Sequence, residues 1–189
     1  MKTRGFTLIE LLVVIAIVAV LSVVVILTLN PAELLRQARD SNRISDLATL
    51  KSAVSLYLAD VSSPSIGSNN TCGATVEVPT STTCNTRFTG ATIATSQLRI
   101  FTIDGTGWVP VNFNAISSGA PLGTLPRDPT NASNSGLFYA YQASSTGLVF
   151  EFNANMESSK YVNGGSGDVE NTDGGNNANI YEVGTQLTF

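Results

Sequence analysis

Three regimes of hydrophobic patterning follow one another along the 189 residues. From Leu11 to Leu29 every position is apolar except Ser22 and Thr28. An unbroken apolar run of that length specifies a helix that is greasy on all sides. At about 1.5 Å per residue it matches the ~30 Å hydrocarbon layer of a bilayer. A secretory signal peptide has a shorter apolar core, about 7–15 residues, closed by a small-residue cleavage site, and no such site follows this run. From Ala32 to Val61 the residues Leu47, Leu50, Val54, Tyr57, Leu58 and Val61 recur at intervals of three and four, the period of an amphipathic helix. Their face is expected to pack on a sheet. Between the two runs, Asn30-Pro31-Ala32-Glu33 combines a capping residue, a proline suited to the first helical position, and an acid three residues after the cap. Proline also disfavours helix at the residue before it, so a kink or brief break is expected at Asn30.

After Val61 the helical period stops at Ser62-Ser63-Pro64-Ser65 and short strand patterns take over. Ala74–Val78 reads as a short strand. Leu98–Ile103 reads as a strand or an irregular connection. Trp108–Asn112 contains Pro110, which limits it to an edge strand or extended loop; Trp108 itself is expected in the core. The clearest signal is a hairpin. Leu137–Ala143 and Leu148–Asn153 flank Ser-Ser-Thr-Gly, with Leu137, Tyr139 and Tyr141 alternating on one face and Leu148, Phe150 and Phe152 on the other strand's equivalent face. That face is expected against the helix and the opposite one in solvent or on a neighbour. The fold class is α+β: a long N-terminal helix, apolar then amphipathic, packed on a small antiparallel β-sheet.

Composition narrows the chemistry. There is no histidine, so Ser-His-Asp and Cys-His nucleophiles are excluded, and no glycine-rich phosphate loop sits between a strand and a helix. No enzyme is indicated. From Ser62 onward there are four basic residues against nine acidic ones, which argues against nucleic acid, whose phosphates need Lys and Arg. The charged residues Arg36, Arg39, Asp40, Arg43 and Asp46 of the second helix are read as its more exposed part, either solvated or paired with neighbouring subunits. Cys72 and Cys84 lie in a Ser/Thr/Asn-rich stretch and have no further zinc ligands around them. They read as a structural disulfide, which requires an oxidising compartment; the other reading is two unpaired thiols. Lys and Arg flank the apolar run on both sides, so charge does not orient it, whereas the cysteine pair places the C-terminal part outside. Asn69-Asn70-Thr71 and Asn131-Ala132-Ser133 match the glycosylation tripeptide and are taken as surface loops. Asp168, Glu170, Asp173, Asn176, Asn177 and Asn179 gather hard-cation oxygen ligands in a glycine-rich C-terminal stretch. They are the candidate site for a structural calcium ion, although the EF-hand spacing fails; a solvated Asn/Gly loop is the other reading.

Glu10 is the anomaly. An acid inside an apolar membrane run is costly and calls for a partner, yet no Lys or Arg lies within it. A cut between Gly5 and Phe6 would create one, a new α-ammonium four residues before Glu10. Lys2-Thr3-Arg4-Gly5, then Phe6-Thr7-Leu8-Ile9-Glu10, then an apolar helix, resembles the prepilin leader of type IV pilins and type II secretion pseudopilins. The resemblance implies a leader at 1–5, an assembly helix at 6–29, an amphipathic helix at 30–61 and an extracytoplasmic β domain at 62–189. It implies a prepilin peptidase that cuts after Gly5 and methylates the amine of Phe6, and Glu10 meeting the Phe6 ammonium of the next subunit. It implies further partners: membrane lipid, related pilin-like subunits, an inner-membrane assembly platform and a homo-oligomeric filament that is periplasmic or extracellular. The alternative from another class is a membrane-tethered binding module that forms no filament. Leu125-Pro126-Arg127-Asp128-Pro129 resembles the segment ahead of the sheet in major pseudopilins, without its usual Trp-Gly-Asn-Pro continuation. The calcium expectation is strengthened by the same comparison.

Overall fold

The computed structural model describes residues 5–69, 71–76, 87–88 and 92–189; for 27–29 and 92–96 it describes the backbone alone. Two helices lead the chain, α1 (Leu8–Leu29) and α2 (Pro31–Asp60). Asn30 between them has φ 39° and ψ 71°, a left-handed conformation that asparagine tolerates better than most residues. It ends α1 and starts α2: its Oδ1 accepts from the Glu33 amide at 3.4 Å, and Pro31 takes the first helical position, where a missing N–H costs nothing. The break expected at Asn30 is therefore present.

Five strands form one sheet in the order β2-β1-β3-β4-β5: β1 (Thr71–Ala74), β2 (Thr92–Leu98), β3 (Ala140–Ser144), β4 (Val149–Ala154) and β5 (Tyr181–Gly184). The sheet is mixed rather than wholly antiparallel. β1 and β2 run parallel, with Thr71 opposite Thr92 and Cys72 opposite Ile93, while all other neighbours are antiparallel. A parallel return needs a long connection, and residues 75–91 supply one. The hairpin is where the alternation put it, with Tyr141 opposite Phe152 and Ala143 opposite Phe150. Three strand boundaries differ from expectation, the first being β3, which opens at Ala140 rather than Leu137. β1 lies upstream of Ala74–Val78, of which Glu77 and Val78 fall outside the described residues. β2 ends at Leu98, where the second strand was expected to begin. Arg99 has φ 58°, which no strand accommodates, and Ile100, Phe101 and Ile103 instead give their carbonyls to the amides of Trp108, Leu125 and Phe113 in an irregular loop.

The helix-facing side of the sheet carries Tyr139, Tyr141, Phe150, Phe152 and Val183. These pack on Leu47, Leu50, Val54 and Tyr57 of α2, with Leu58 and Val61 partly buried against the same cluster. Trp108 is fully buried there, its Nε1 donating to the Pro126 carbonyl at 3.2 Å. Its backbone approaches β1 so closely that a Cβ at Gly73 would collide with the Trp108 carbonyl oxygen. The opposite face is not open to solvent, as the alternation suggested. Cys72, Ala74, Phe88, Phe138 and Ala140 form a second cluster, with Leu98 and Phe189 packed against it. Buried on the same face are Gln142, Glu151, Asn153 and Glu182. Arg87 is buried with them, donating to Asn153 Oδ1 at 2.9 Å and to the Gly136 carbonyl, and stacked 3.9 Å from the Phe138 ring centroid.

Candidate processing and assembly site

The N-terminal site is built on the start of α1. Thr7 caps the helix: its Oγ1 accepts from the Glu10 amide at 3.3 Å, and Glu10 Oε2 accepts from the Thr7 amide at 2.8 Å and from Thr7 Oγ1 at 2.7 Å. This is a complete capping box, which satisfies backbone donors that a helix start otherwise leaves bare. Sequence reasoning looked for the partner of Glu10 in another chain or in an ammonium made by processing and missed this one, although Thr-x-x-Glu is its signature. The box holds the carboxylate at the N-terminal end of α1, on the side of the junction. A Cβ added at Gly5 would meet nothing within 4 Å and Phe6 is 86 % exposed, so none of the other described residues covers the Gly5–Phe6 bond. Phe6, Ile9, Glu10, Val13 and Val14 line a shallow groove on one side of the helix.

From Leu8 to Ile26, α1 packs on nothing else among the described residues. Its apolar side chains from Leu8 to Ile26 are all exposed, and the segment is long and apolar enough to cross a membrane.

The charged residues of α2 do something other than expected. Asp40 and Arg43 are completely buried. The Arg43 guanidinium reaches Asp40 at 2.7 Å, Asp128 at 2.7 and 3.1 Å, Glu157 at 2.7 Å and Thr130 Oγ1 at 3.1 Å. Asp40 in turn accepts from the amides of Glu157 and Ser158. Arg39 grips Glu157 with two bonds of 2.7 Å, and Asp46 accepts the Tyr139 hydroxyl at 2.7 Å. Of the five residues read as exposed, only Arg36 has an exposed partnership, 3.8 Å from Glu33. The others bind α2 to its own domain, so pairing of these four with neighbouring subunits is not their role here. Asp128 of the Leu-Pro-Arg-Asp-Pro segment gains its function from the same network: it holds Arg43 and accepts from the amides of Thr130 and Asn131. Removing water from these carboxylates raises their energy, and the Arg39 and Arg43 guanidiniums more than compensate at Glu157, whose carboxyl is drawn down to about 2.

The C-terminal loop uses its acids as backbone caps. Asp168 accepts from the amides of Gly164 and Asn171, and Glu170 from those of Met156 and Asn163. Asp173 takes the Gly175 and Glu182 amides, Glu182 takes the Asn177 amide, and Asn177 Oδ1 accepts from the Asn179 amide. Among the described residues no group of three or more carboxylate or thiol side chains is placed to hold a metal. Among the described residues the Asn176 side chain makes no hydrogen bond, and it is exposed. Of the glycosylation tripeptides, Asn131 is engaged through Nδ2 with the Thr75 carbonyl at 3.1 Å, and Asn69 bonds Ser145 and Thr146. Cys72 is buried on β1; Cys84 lies outside the described residues.

Residues 1–26 match the model of one family, the prokaryotic N-terminal methylation motif. No curated protein and no solved structure matches the chain. The motif is the leader signature of type IV pilins and pseudopilins, and here it runs from the basic leader through the capping box into the exposed apolar helix.

Proposed function

We propose that the chain is a structural subunit of a type IV pilus or a type II secretion pseudopilus. A prepilin peptidase cuts between Gly5 and Phe6 and the Phe6 amine is methylated. The processed subunit waits in the cytoplasmic membrane with its β domain outside and is then assembled through α1, at an inner-membrane platform, into a filament with copies of itself and related subunits. The observation that carries the reading is the pairing of a methylation motif with an α1 that exposes apolar side chains all round. Lipid covers that surface before assembly and the α1 helices of neighbouring copies cover it afterwards. The work of the molecule is then mechanical rather than catalytic. Cys72 and Cys84 form a disulfide in this reading, tying buried β1 to the segment that follows it.

Intact-mass analysis of the membrane form tests the processing: the expected chain begins at methylated Phe6, and retention of Met1 or a cut beyond Leu29 overturns it. Shearing of cells tests the assembly. Filaments that contain the subunit are the expected result; a processed protein found in membranes alone identifies a tethered binding module instead. Non-reducing peptide mapping of exported material should recover Cys72 and Cys84 in one linked pair.

A further inference from the structure

Only four basic residues follow Val61, and three of them, Arg87, Arg99 and Arg127, converge on the loop that runs from Asn131 to Leu137. Arg87 is buried beneath this loop, on the Gly136 carbonyl. Arg99 and Arg127 line a pocket of about 490 Å³ at its edge, together with Val76, Asn131, Ser133 and Asn134. That volume falls in the usual range for small-molecule sites. No carboxylate belongs to its described lining, in a domain that is otherwise acidic.

The walls are fixed from behind. Asp128, itself held by Arg43, accepts from the Thr130 and Asn131 amides, and Asn131 has the left-handed φ of 49°. Asn131 Nδ2 ties the loop to Thr75, and the Ala132 amide closes it onto Leu137. Arg127 lies 5.9 Å from the Phe101 ring centroid, a contact that restrains a long side chain without consuming its N–H donors. Ser133 Oγ and the Asn134 amide make no side-chain hydrogen bond within the described residues, so both are available to a ligand.

We propose that this pocket binds an acidic saccharide, a sugar bearing a carboxylate or sulfate. The planar guanidinium of Arg127 matches the oxygens of such a group with paired, charge-assisted hydrogen bonds. Hydroxyl and amide side chains both donate and accept, and so suit the ring hydroxyls of a sugar better than they suit an isolated anion. Val76 and Ala132 offer a small apolar surface to the ring carbons. The site lies in the β domain, away from α1, and does not depend on how α1 assembles.

Titration calorimetry on the detergent-solubilised full chain, in low salt, tests the assignment with digalacturonate as probe. Wild type should bind it and should not bind the neutral disaccharide of galactose. Arg127→Gln should weaken binding by about tenfold or more, the scale of a lost charge-assisted contact, with an unchanged melting temperature because Arg127 is exposed. Ser133→Ala combined with Asn134→Ala should weaken digalacturonate while leaving sodium sulfate unaffected. Three results overturn the proposal: no digalacturonate binding by folded wild type, equal binding by Arg127→Gln, or sodium sulfate or an acidic tetrapeptide binding as tightly as the sugar. Should Arg127→Gln fail to fold, the Ser133/Asn134 variant decides in the same way.

Discussion

Arg43 concentrates the energetics of the domain in one side chain. Three carboxylates and a hydroxyl converge on a guanidinium with no solvent exposure. A buried ion cluster of this kind adds little net stability when intact, because desolvation offsets the attraction, but removing one member leaves the others charged and unpaired. Arg43→Ala should therefore cost about 3–5 kcal/mol. Arg43→Lys keeps the charge but loses the planar fork that spans Asp40, Asp128 and Glu157, and should fall between. Urea unfolding of the solubilised full chain, followed by circular dichroism, measures both. Acidity supplies a second prediction at this scale. Burial, then the neighbouring Glu182 carboxyl, pushes Glu151 up to about 8 from its ordinary 4.5. The native chain then holds a proton that the unfolded chain has released across that interval. The stabilising contribution is complete below 4.5 and is lost as pH rises toward 8. Glu157 has the opposite sign: Arg39 first and Arg43 with it hold its carboxyl at about 2, so its contribution is present above 4.5 and lost as pH falls toward 2. Melting temperature should peak near about pH 5, and Glu151→Gln should flatten the fall on the alkaline side while leaving the acid side unchanged.

Elements differ in how plainly the sequence announces them, and the physical reason differs each time. The helical stripe of Leu47, Leu50, Val54 and Tyr57 and the alternation of the hairpin are local periodicities; the stripe is present as read, and the alternation holds for Tyr139, Tyr141, Phe150 and Phe152, while Leu148 is exposed in the turn with φ 51°. Asp40 and Arg43 continue that stripe upstream at the same spacing of three and four. The phase was legible, but charge was taken as a sign of exposure, and two of the three acids that neutralise Arg43, Asp128 and Glu157, are far off in sequence. Gln142, Glu151 and Asn153 were misleading for the converse reason: polar residues at alternate positions of a hairpin look solvent-facing, and nothing local reveals that Phe88, Arg87 and Phe189 cover them. Parallel pairing of β1 with β2 depends on a long connection and has no pattern of its own. The C-terminal loop belongs to the same class. Its composition suits calcium, but its carboxylates reach separate backbone amides, and among the described residues no three of them converge on one point. Melting temperatures in calcium and in chelator should be equal; a rise in calcium that Asp173→Ala abolishes would instead place an ion there by mass action.

At the scale of the whole molecule, the chain joins a domain that closes its own core to a helix that cannot. The capping box sharpens what Glu10 contributes to that division. Glu10→Ala would remove two things at once, the reciprocal half of the capping box and the charge. That half satisfies the Thr7 amide, and its loss frays the first turn of α1 and confuses the outcome. Glu10→Gln separates them: glutamine at this position still reaches back to the Thr7 amide, but it carries no charge to meet the ammonium of a neighbour's Phe6. Thr7→Ala does the reverse, weakening the cap and keeping the carboxylate. If the charge is what registers one subunit against the next, Glu10→Gln and Glu10→Ala should both reach the membrane and be cut after Gly5, since the apolar run only becomes more hydrophobic and the junction is untouched, yet neither should give filaments on shearing. Thr7→Ala should give them at reduced yield, and Glu10→Asp, charged but shorter, should be intermediate. An ammonium left unpaired within the bilayer is unfavourable, so the incoming subunit of a neutral variant is held less firmly. Filament yield is read against the membrane level of processed subunit in the same cells. Normal filaments from Glu10→Gln would reduce the carboxylate to a helix cap, and assembly would then have to draw its register from the shape of the exposed apolar surface alone.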